Sequence, residues 1–86
     1  CNFPNCTLGR CVIPRLTILH QNVPNVIGSI TQALSAEGLN IENMVNQSRG
    51  TQAYTVADMS GRPSDELIQR LQALPTIYRV RLLMPQ

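Results

Sequence analysis

The chain has 86 residues, of which 43% are hydrophobic and 14% are charged. These values are typical of one small globular domain, and they exclude both a second core and a disordered chain. The net charge is only +2, and aromatic residues make up 3% with no Trp. This composition argues against a nucleic-acid binder or an anionic-membrane binder, which usually carries clustered basic residues and, for single strands, stacking aromatics.

The first 14 residues indicate a linker or an extended arm that leads from a preceding domain into a domain over 15–86. The chain starts at Cys rather than Met, so we expect either a piece of a longer protein or a chain whose leader was removed. The thiols of Cys1, Cys6 and Cys11 match neither a disulfide framework nor a C-x-x-C metal pair, and we expect them to be reduced in a cytoplasmic protein. We expect no signal peptide, because the first residues lack the basic and apolar stretches that one requires, and no apolar run approaches the ~20 residues of a membrane-spanning helix.

The first half of the chain predicts a strand, a helix and a second strand. The strand covers 15–20, with Leu16, Ile18 and His20 on one face. Apolar residues at three- and four-residue spacing predict a helix over 24–37, with Pro24 at its start. Gly38 is expected to end this helix in the left-handed conformation.

The second half predicts a strand, a helix and a strand. The second strand covers 39–48, a turn at 48–50 follows, and the third strand covers 51–59. We expect the second helix to begin at Pro63, with Asp65 and Glu66 near the positive end of its dipole, and to stop at Pro75. The last strand covers 76–84 and is predicted to place Tyr78, Val80 and Leu82 on one face and Ile77, Arg79, Arg81 and Leu83 on the other.

The order of these elements predicts an α+β fold of the ferredoxin-like βαββαβ type. Such a sandwich has a four-stranded antiparallel sheet with both helices on one face. Because this fold serves unrelated functions, the site must identify the function. An RNA-recognition module needs aromatic residues on the central strands, and only Tyr54 is available. A metal carrier needs a C-x-x-C in the first strand–helix loop, and a phosphatase on this fold needs a Gly-rich anion loop with Arg before the first helix. The loop here has neither, so the sequence argues against both functions.

The loop from His20 to Gly28 fits a ligand-sensing module better. It brings together an imidazole, the Asn22 carboxamide and the open end of a helix, which attracts a carboxylate. A carboxamide both donates and accepts hydrogen bonds, so it suits an α-amino acid. Asn40 begins the next strand, and a second copy of the chain could close a pocket over a small molecule.

Several short segments resemble one known family in order and spacing over nearly the whole chain. They are Asn2-Phe3-Pro4, His20-x-Asn22-x-Pro24, Gly38-Leu39-Asn40-Ile41, Asn43-Met44-x-Asn46, Ala53-Tyr54-Thr55-x-x-Asp58 and Arg79-Val80-Arg81-Leu82-Leu83. The chain resembles ACT domains, the amino-acid-sensing regulatory modules of this fold. More narrowly, it is similar to the C-terminal ACT domains of D-3-phosphoglycerate dehydrogenases, the NAD-dependent oxidoreductases of serine biosynthesis.

The resemblance implies that two copies pair edge to edge into a dimer and bind L-serine at the seam. His20 and Asn22 of one copy and Asn40 of the other would hold this effector, which regulates a distant active site in the dehydrogenase domains of the parent chain. It also implies that NAD belongs to the parent and that this fragment carries no cofactor. We expect no catalysis by the fragment, because the sequence shows no paired carboxylates and no nucleophile with a neighbouring base. Asn25 departs from the pattern, since many ACT domains have Gly there. The alternative is therefore a structural assembly module that binds no effector.

Other residues near the loop and the second strand are candidates for the pocket or the subunit interface. They are Asn25, Val26, Ile27, Asn43 and Asn46. Arg79 and Arg81 indicate a solvated sheet face, with docking of the parent's other domains as the second reading. Asp58, Asp65 and Glu66 are expected to be structural. We expect no metal site, and neither a nucleic acid nor a membrane as partner.

Overall fold

The computed structural model describes residues 13–85. These form four strands and two helices: β1 Arg15–Gln21, α1 Asn25–Ala36, β2 Ile41–Arg49, β3 Gln52–Met59, α2 Asp65–Gln72 and β4 Ile77–Leu83. The strands make one antiparallel sheet in the order β2-β3-β1-β4. The predicted βαββαβ fold is confirmed. Cys1, Cys6 and Cys11, with most of the predicted arm, lie outside the described residues.

The core lies between one face of the sheet and both helices. The central strands contribute Leu16 and Ile18, which are fully buried, as predicted for that face of β1. The buried residues that pack with them come from all the other core elements: Val26, Ile30, Leu34, Ala57, Met59, Leu67, Leu71 and Ile77. Both helices therefore cover the same face, and the opposite face of the sheet carries no helix.

The end of α1 is closed by backbone hydrogen bonds around a left-handed glycine. Gly38 has φ +75°, as its position in the sequence predicts. Its N–H donates to the Ser35 carbonyl at 2.9 Å, and the Leu39 N–H donates to the Leu34 carbonyl at 3.1 Å. This pair of bonds is a Schellman motif, which satisfies two carbonyls that a helix end leaves without partners.

The hairpin turn lies two residues further along than predicted. Ser48 and Arg49 belong to β2, where Arg49 pairs with Gln52. The turn itself is Gly50-Thr51, and Gly50 has φ +61°. A two-residue hairpin favours glycine at a first central position with positive φ, because that geometry matches the twist of the strands. The ladder therefore continues through the polar residues that suggested a turn.

The prediction for the start of β4 is wrong at two residues. Leu19 pairs with Arg79 but the next residue, His20, pairs with Ile77, so Tyr78 is an extra residue in a β-bulge. The bulge turns Ile77 into the core, where it is 5% exposed, and leaves Tyr78 46% exposed. Strict alternation cannot anticipate this, since one extra residue reverses the faces of what precedes it.

A second irregularity shapes the start of β2. Ile41 pairs with Met59 and Asn43 pairs with Asp58, so Glu42 is the extra residue. As a result Ile41 and Met44 both pack against the core, although they are three residues apart. Asn43 then lies on the face without helices, whereas Asn46, opposite Thr55, lies on the helix side.

The start of α2 differs from the prediction by two residues. Ser64, not Pro63, is the boundary: it is extended, and its hydroxyl accepts the Leu67 N–H at 3.1 Å as an N-cap. Pro63 therefore precedes the helix. A serine cap fixes this boundary because its hydroxyl satisfies a free N–H of the first turn. Asp65 and Glu66 lie in the first turn, as predicted.

Candidate functional site

The N-terminus of α1 is the most open polar feature of the predicted site. Pro24 occupies the cap position and makes no side-chain cap bond, and the first turn contains no acidic residue. By contrast, α2 has the Ser64 cap and two carboxylates in its first turn. The Val26 N–H already donates to the Val23 carbonyl at 3.4 Å, so an anion would meet the positive end of the α1 dipole and the remaining N–H groups of the first turn.

His20 lies near the end of β1, on the face of the sheet that the helices cover. Its side chain is buried, with the residue 1% exposed. Nδ1 is 2.7 Å from the Gln21 carbonyl oxygen, and Nε2 is 2.7 Å from the Thr55 hydroxyl. Both ring nitrogens thus have partners inside the chain, and the ring touches no open space in this arrangement.

Thr55 links His20 to the edge of the sheet. It is fully buried on β3, and its hydroxyl is 3.3 Å from the side-chain oxygen of Asn46 on β2. Sequence reasoning missed Thr55 as a polar partner. The signal was a β-branched hydroxyl residue at a position where the alternation of β3 requires burial, since a buried hydroxyl needs a hydrogen-bond partner.

Asn22 fastens the loop that precedes α1 to the β2–β3 hairpin. Its Nδ2 donates to the Gly50 carbonyl at 3.1 Å, and its backbone N–H donates to the Thr51 carbonyl at 2.9 Å. Asn22 is nevertheless exposed, and its side-chain oxygen has no partner among residues 13–85. The side chain can therefore brace the turn and still accept a hydrogen bond from a ligand.

Asn40 lies at the opposite end of the sheet. Its backbone N–H donates to the Ser60 hydroxyl at 3.0 Å, and its carbonyl accepts the Ser60 N–H at 2.8 Å. Asn22 is beside one end of β3 and Asn40 beside the other end, roughly 25 Å away at about 3.3 Å per strand residue. One chain therefore brings His20 and Asn22 together and leaves Asn40 apart.

The other pocket or interface candidates occupy three different settings. Val26 is 2% exposed and belongs to the core, so it lines no open pocket in the single chain. Ile27 is half-buried and Asn25 is exposed at the first position of α1. Asn43 and Asn46 lie on opposite faces of the edge strand β2.

The sheet face without helices carries a buried ion pair that the sequence analysis missed. Arg15 donates from Nε to Asp58 Oδ1 at 2.6 Å and from Nη2 to Oδ2 at 3.0 Å. These hydrogen bonds raise the pKa of the Arg15 guanidinium above its ordinary value. Nothing in the local sequence marks the pair, because the partners come from strands 43 positions apart.

The same face has shallow hollows beside Tyr54. One, of about 550 Å³, is lined by Arg49 and Tyr54 among others, and a smaller one, of about 120 Å³, is lined by Arg79 and Arg81. Arg79 and Arg81 are exposed, as predicted for a solvated face, and neither forms an ion pair with another residue of 13–85.

Within residues 13–85, no three His, Cys, Asp or Glu side chains are grouped so that they could hold a metal ion. Over the same residues, neither helix has the length and apolar character needed to cross a membrane.

No family model matches the chain. Among curated proteins, D-3-phosphoglycerate dehydrogenase of Escherichia coli K12 is 29% identical over 84 residues, which cover 95% of this chain and 20% of that relative. Among solved structures, the ACT domain from GTP pyrophosphokinase of Chlorobium tepidum matches with a TM-score of 0.66 at 16% identity, covering 81% of this chain and 95% of that one. The regulatory subunit of aspartate kinase from Thermus thermophilus matches with a TM-score of 0.65 at 14% identity, covering 81% and 49%.

The sheet order, the two helices on one face and these structural matches define the fold of an ACT domain. The sequence comparison is more specific than the fold. The chain resembles the C-terminal ACT domain of D-3-phosphoglycerate dehydrogenase, and it spans 20% of the length of that curated relative.

Proposed function

We propose that this chain is the regulatory module of a D-3-phosphoglycerate dehydrogenase and that two copies bind a small amino acid, L-serine, at their seam. The observation that carries this proposal is the uncapped, acid-free start of α1 beside Asn22. A ligand carboxylate would accept hydrogen bonds from the unpaired N–H groups of the first turn and so cap the helix, as a capping side chain does in other helices.

The polar groups of the ligand would be divided between two chains. Asn22 offers its side-chain oxygen to an ammonium group, and Asn40 of the second copy offers a whole carboxamide, since its side chain has no partner among residues 13–85. We assign His20 a supporting role in the present geometry. A ring nitrogen reaches the effector only by giving up the Gln21 carbonyl or the Thr55 hydroxyl.

The two edges of the sheet suggest which strand forms the seam. The central part of β2, from Met44 to Ser48, has no charged side chain. The β4 edge carries Arg79 and Arg81, whose like charges would oppose each other across a two-fold axis. Antiparallel pairing of β2 with its copy would set the Asn22 end of one chain against the Asn40 end of the other, which is the pairing that the site needs.

We assign catalysis and NAD to the remainder of the parent chain. The sequence has no G-x-G-x-x-G turn of the kind that binds a dinucleotide, so its own residues do not fit NAD. The expected role of this module is to shift the parent between states by binding the effector, with a coupling of about 1 to 3 kcal/mol.

Calorimetric titration of the chain with L-serine and with glycine tests the proposal. We expect saturable binding that Asn22→Ala and Asn40→Ala each abolish, whereas Gln69→Ala on the exposed side of α2 leaves it unchanged. Mixing the two inactive variants gives the sharper result. A mixed dimer has one site with both asparagines, so about a quarter of the sites should return. Binding that survives either substitution would contradict the site, and failure of the mixture would contradict its division between copies.

The second candidate function is an assembly module that forms the same seam and binds nothing. It is favoured by Asn25, whose side chain stands at the helix start where many ACT domains have glycine. Thermal unfolding separates the two functions, because a ligand selective for the folded state must raise the melting temperature. An unchanged melting temperature at millimolar serine, for a chain that is dimeric, would favour the assembly module.

A further inference from the structure

Three polar side chains form a continuous path across three neighbouring strands. His20 on β1 contacts Thr55 on β3 at 2.7 Å, and Thr55 contacts Asn46 on β2 at 3.3 Å. The first two are buried, whereas Asn46 is exposed on the edge strand. The path therefore joins a buried titratable ring to the outer edge of the sheet.

Counting protons along this path shows that it has two complete arrangements. The Gln21 carbonyl can only accept, so His20 Nδ1 carries a hydrogen. If His20 is neutral, Nε2 is bare and the single Thr55 hydroxyl proton points to it. Asn46 must then turn its NH₂ group toward Thr55. If His20 is protonated, Nε2–H donates to Thr55, and the hydroxyl proton turns to the Asn46 side-chain oxygen.

We propose that Thr55 is a hydrogen-bond switch through which protonation of His20 reverses the amide of Asn46 on the edge strand. The proton gained by the ring stays on Nε2. The Thr55 proton rotates from the ring to the amide, and the amide rotates by half a turn. No bond other than hydrogen bonds is broken, and each state leaves all three side chains paired.

Within residues 13–85, the polar partners of the His20 ring are the Gln21 carbonyl and this relay through Thr55. Helix α1 has no charged residue, and the charged residues of α2 are all exposed. On the neighbouring strands the charged residues either lie on the face without helices or sit at the far end of β2: Arg15, Glu42, Arg49, Asp58, Arg79 and Arg81.

The switch would make the seam sensitive to pH. The amide of Asn46 presents NH₂ outward in one state and oxygen outward in the other, so a second copy paired along β2 would meet a donor or an acceptor. This consequence rests on the proposed function, whereas the switch itself requires only the single chain.

The experiment is a pH titration of the ¹⁵N-labelled chain by NMR, without serine. We expect the Asn46 side-chain NH₂ signals to shift with the same midpoint as the His20 ring nitrogens. Thr55→Val removes the hydroxyl at nearly constant shape, and the Asn46 signals should then stop following His20. Thr17→Val, at a buried threonine on the other sheet face, is the matched control and should leave the coupling intact.

Three results would overturn the switch: Asn46 signals that stay flat while His20 titrates, signals that still follow His20 in Thr55→Val, or a His20 ring that does not titrate before the chain unfolds. If Thr55→Val fails to fold, Thr55→Ser keeps a hydroxyl and should keep the coupling, while Thr55→Ala should remove it. Since no effector is added, a chain that fails to bind serine can still show the switch, and a chain without the switch can still bind serine.

Discussion

Arg15 and Asp58 show what a single pair of residues contributes on the face without helices. Both side chains are almost fully buried, at 5% and 2% exposure, and their contact is bidentate. A paired arrangement of this kind offsets the cost of removing two charges from water, but one partner alone does not. The pair therefore affects stability most when only one of the two partners is removed.

We expect Asp58→Asn to lower the free energy of unfolding by about 3 to 5 kcal/mol, because it leaves the buried Arg15 guanidinium without its countercharge. The double variant Arg15→Met with Asp58→Leu should recover much of that loss, since two apolar residues can replace a buried ion pair. Urea unfolding of the three chains measures both effects. A loss below 1 kcal/mol for Asp58→Asn would contradict the assignment of the pair as a buried one.

For single residues, the sequence predicted the sheet face of a side chain better than it predicted the hydrogen-bond partners of that side chain. The alternation of β1 placed His20 on the core face, and it is there. The partners of His20 come from the adjacent Gln21 backbone and from β3, and the second of these depends on strand register. Register is a property of the folded sheet, so Thr55 could not be assigned to His20 from spacing alone.

At the scale of whole elements, the end of α1 and the start of α2 are connected by side-chain hydrogen bonds. Glu37, just past the end of α1, accepts hydrogen bonds from the backbone and the hydroxyl of Ser64 at the start of α2. One carboxylate thereby ties the two helices together. These two hydrogen bonds lower the pKa of Glu37 below its ordinary value.

The lowered pKa of Glu37 predicts the sign of one pH effect. The carboxylate form favours the folded state, so its contribution is fully present above the ordinary pKa near 4.5 and is lost as the pH falls through the lower folded-state pKa. We expect the melting temperature of Glu37→Gln to fall less than that of the unsubstituted chain when the pH is lowered from 6 to 3. Glu42→Gln, at another exposed position, serves as the control. If the melting temperature of Glu37→Gln depended on pH as strongly as that of the unsubstituted chain, the contact between Glu37 and Ser64 would not be the source of the effect.

The elements also show where pattern reading reaches its limit. Helix periodicity, Gly38 and the alternation of β1 and β3 were sufficient for the order and type of all six elements. The errors came from the bulge at Tyr78, from the two-residue turn at Gly50-Thr51 and from the start of α2 after the Ser64 cap. The bulge and the turn both depend on how two strands meet. The bulge leaves no clear mark in the sequence of its own strand, whereas the turn is marked only by Gly50, which also fits the turn at 48–50 that the sequence predicted.

At the scale of the whole molecule, one chain forms the core but does not form the whole of the proposed site. The described residues form one core, yet Asn22 and Asn40 lie at opposite ends of the sheet. The sequence pattern determines a fold within one chain, whereas a site shared by two chains depends on which edges pair. The seam is therefore the feature on which the proposed function most depends.

The choice of β2 as the seam predicts different results for the two edges. Val45 is half-buried at the centre of β2, and Val45→Lys would place two like charges near the two-fold axis. We expect sedimentation to show a monomer for this variant at concentrations where the unsubstituted chain is dimeric, and we expect the variant to bind no serine. Tyr78→Lys, on the opposite edge, should leave the dimer intact.

Thermal unfolding checks that both lysine variants still fold. Since Val45 and Tyr78 both retain exposure in the single chain, neither change removes a residue of the core. A dimer that persists in Val45→Lys and dissociates in Tyr78→Lys would place the seam on β4. It would then leave the Asn22 end of one chain far from the Asn40 end of the other, because Asn40 borders the strand at the opposite edge. The proposed site and the β2 seam are therefore tested together by one pair of substitutions.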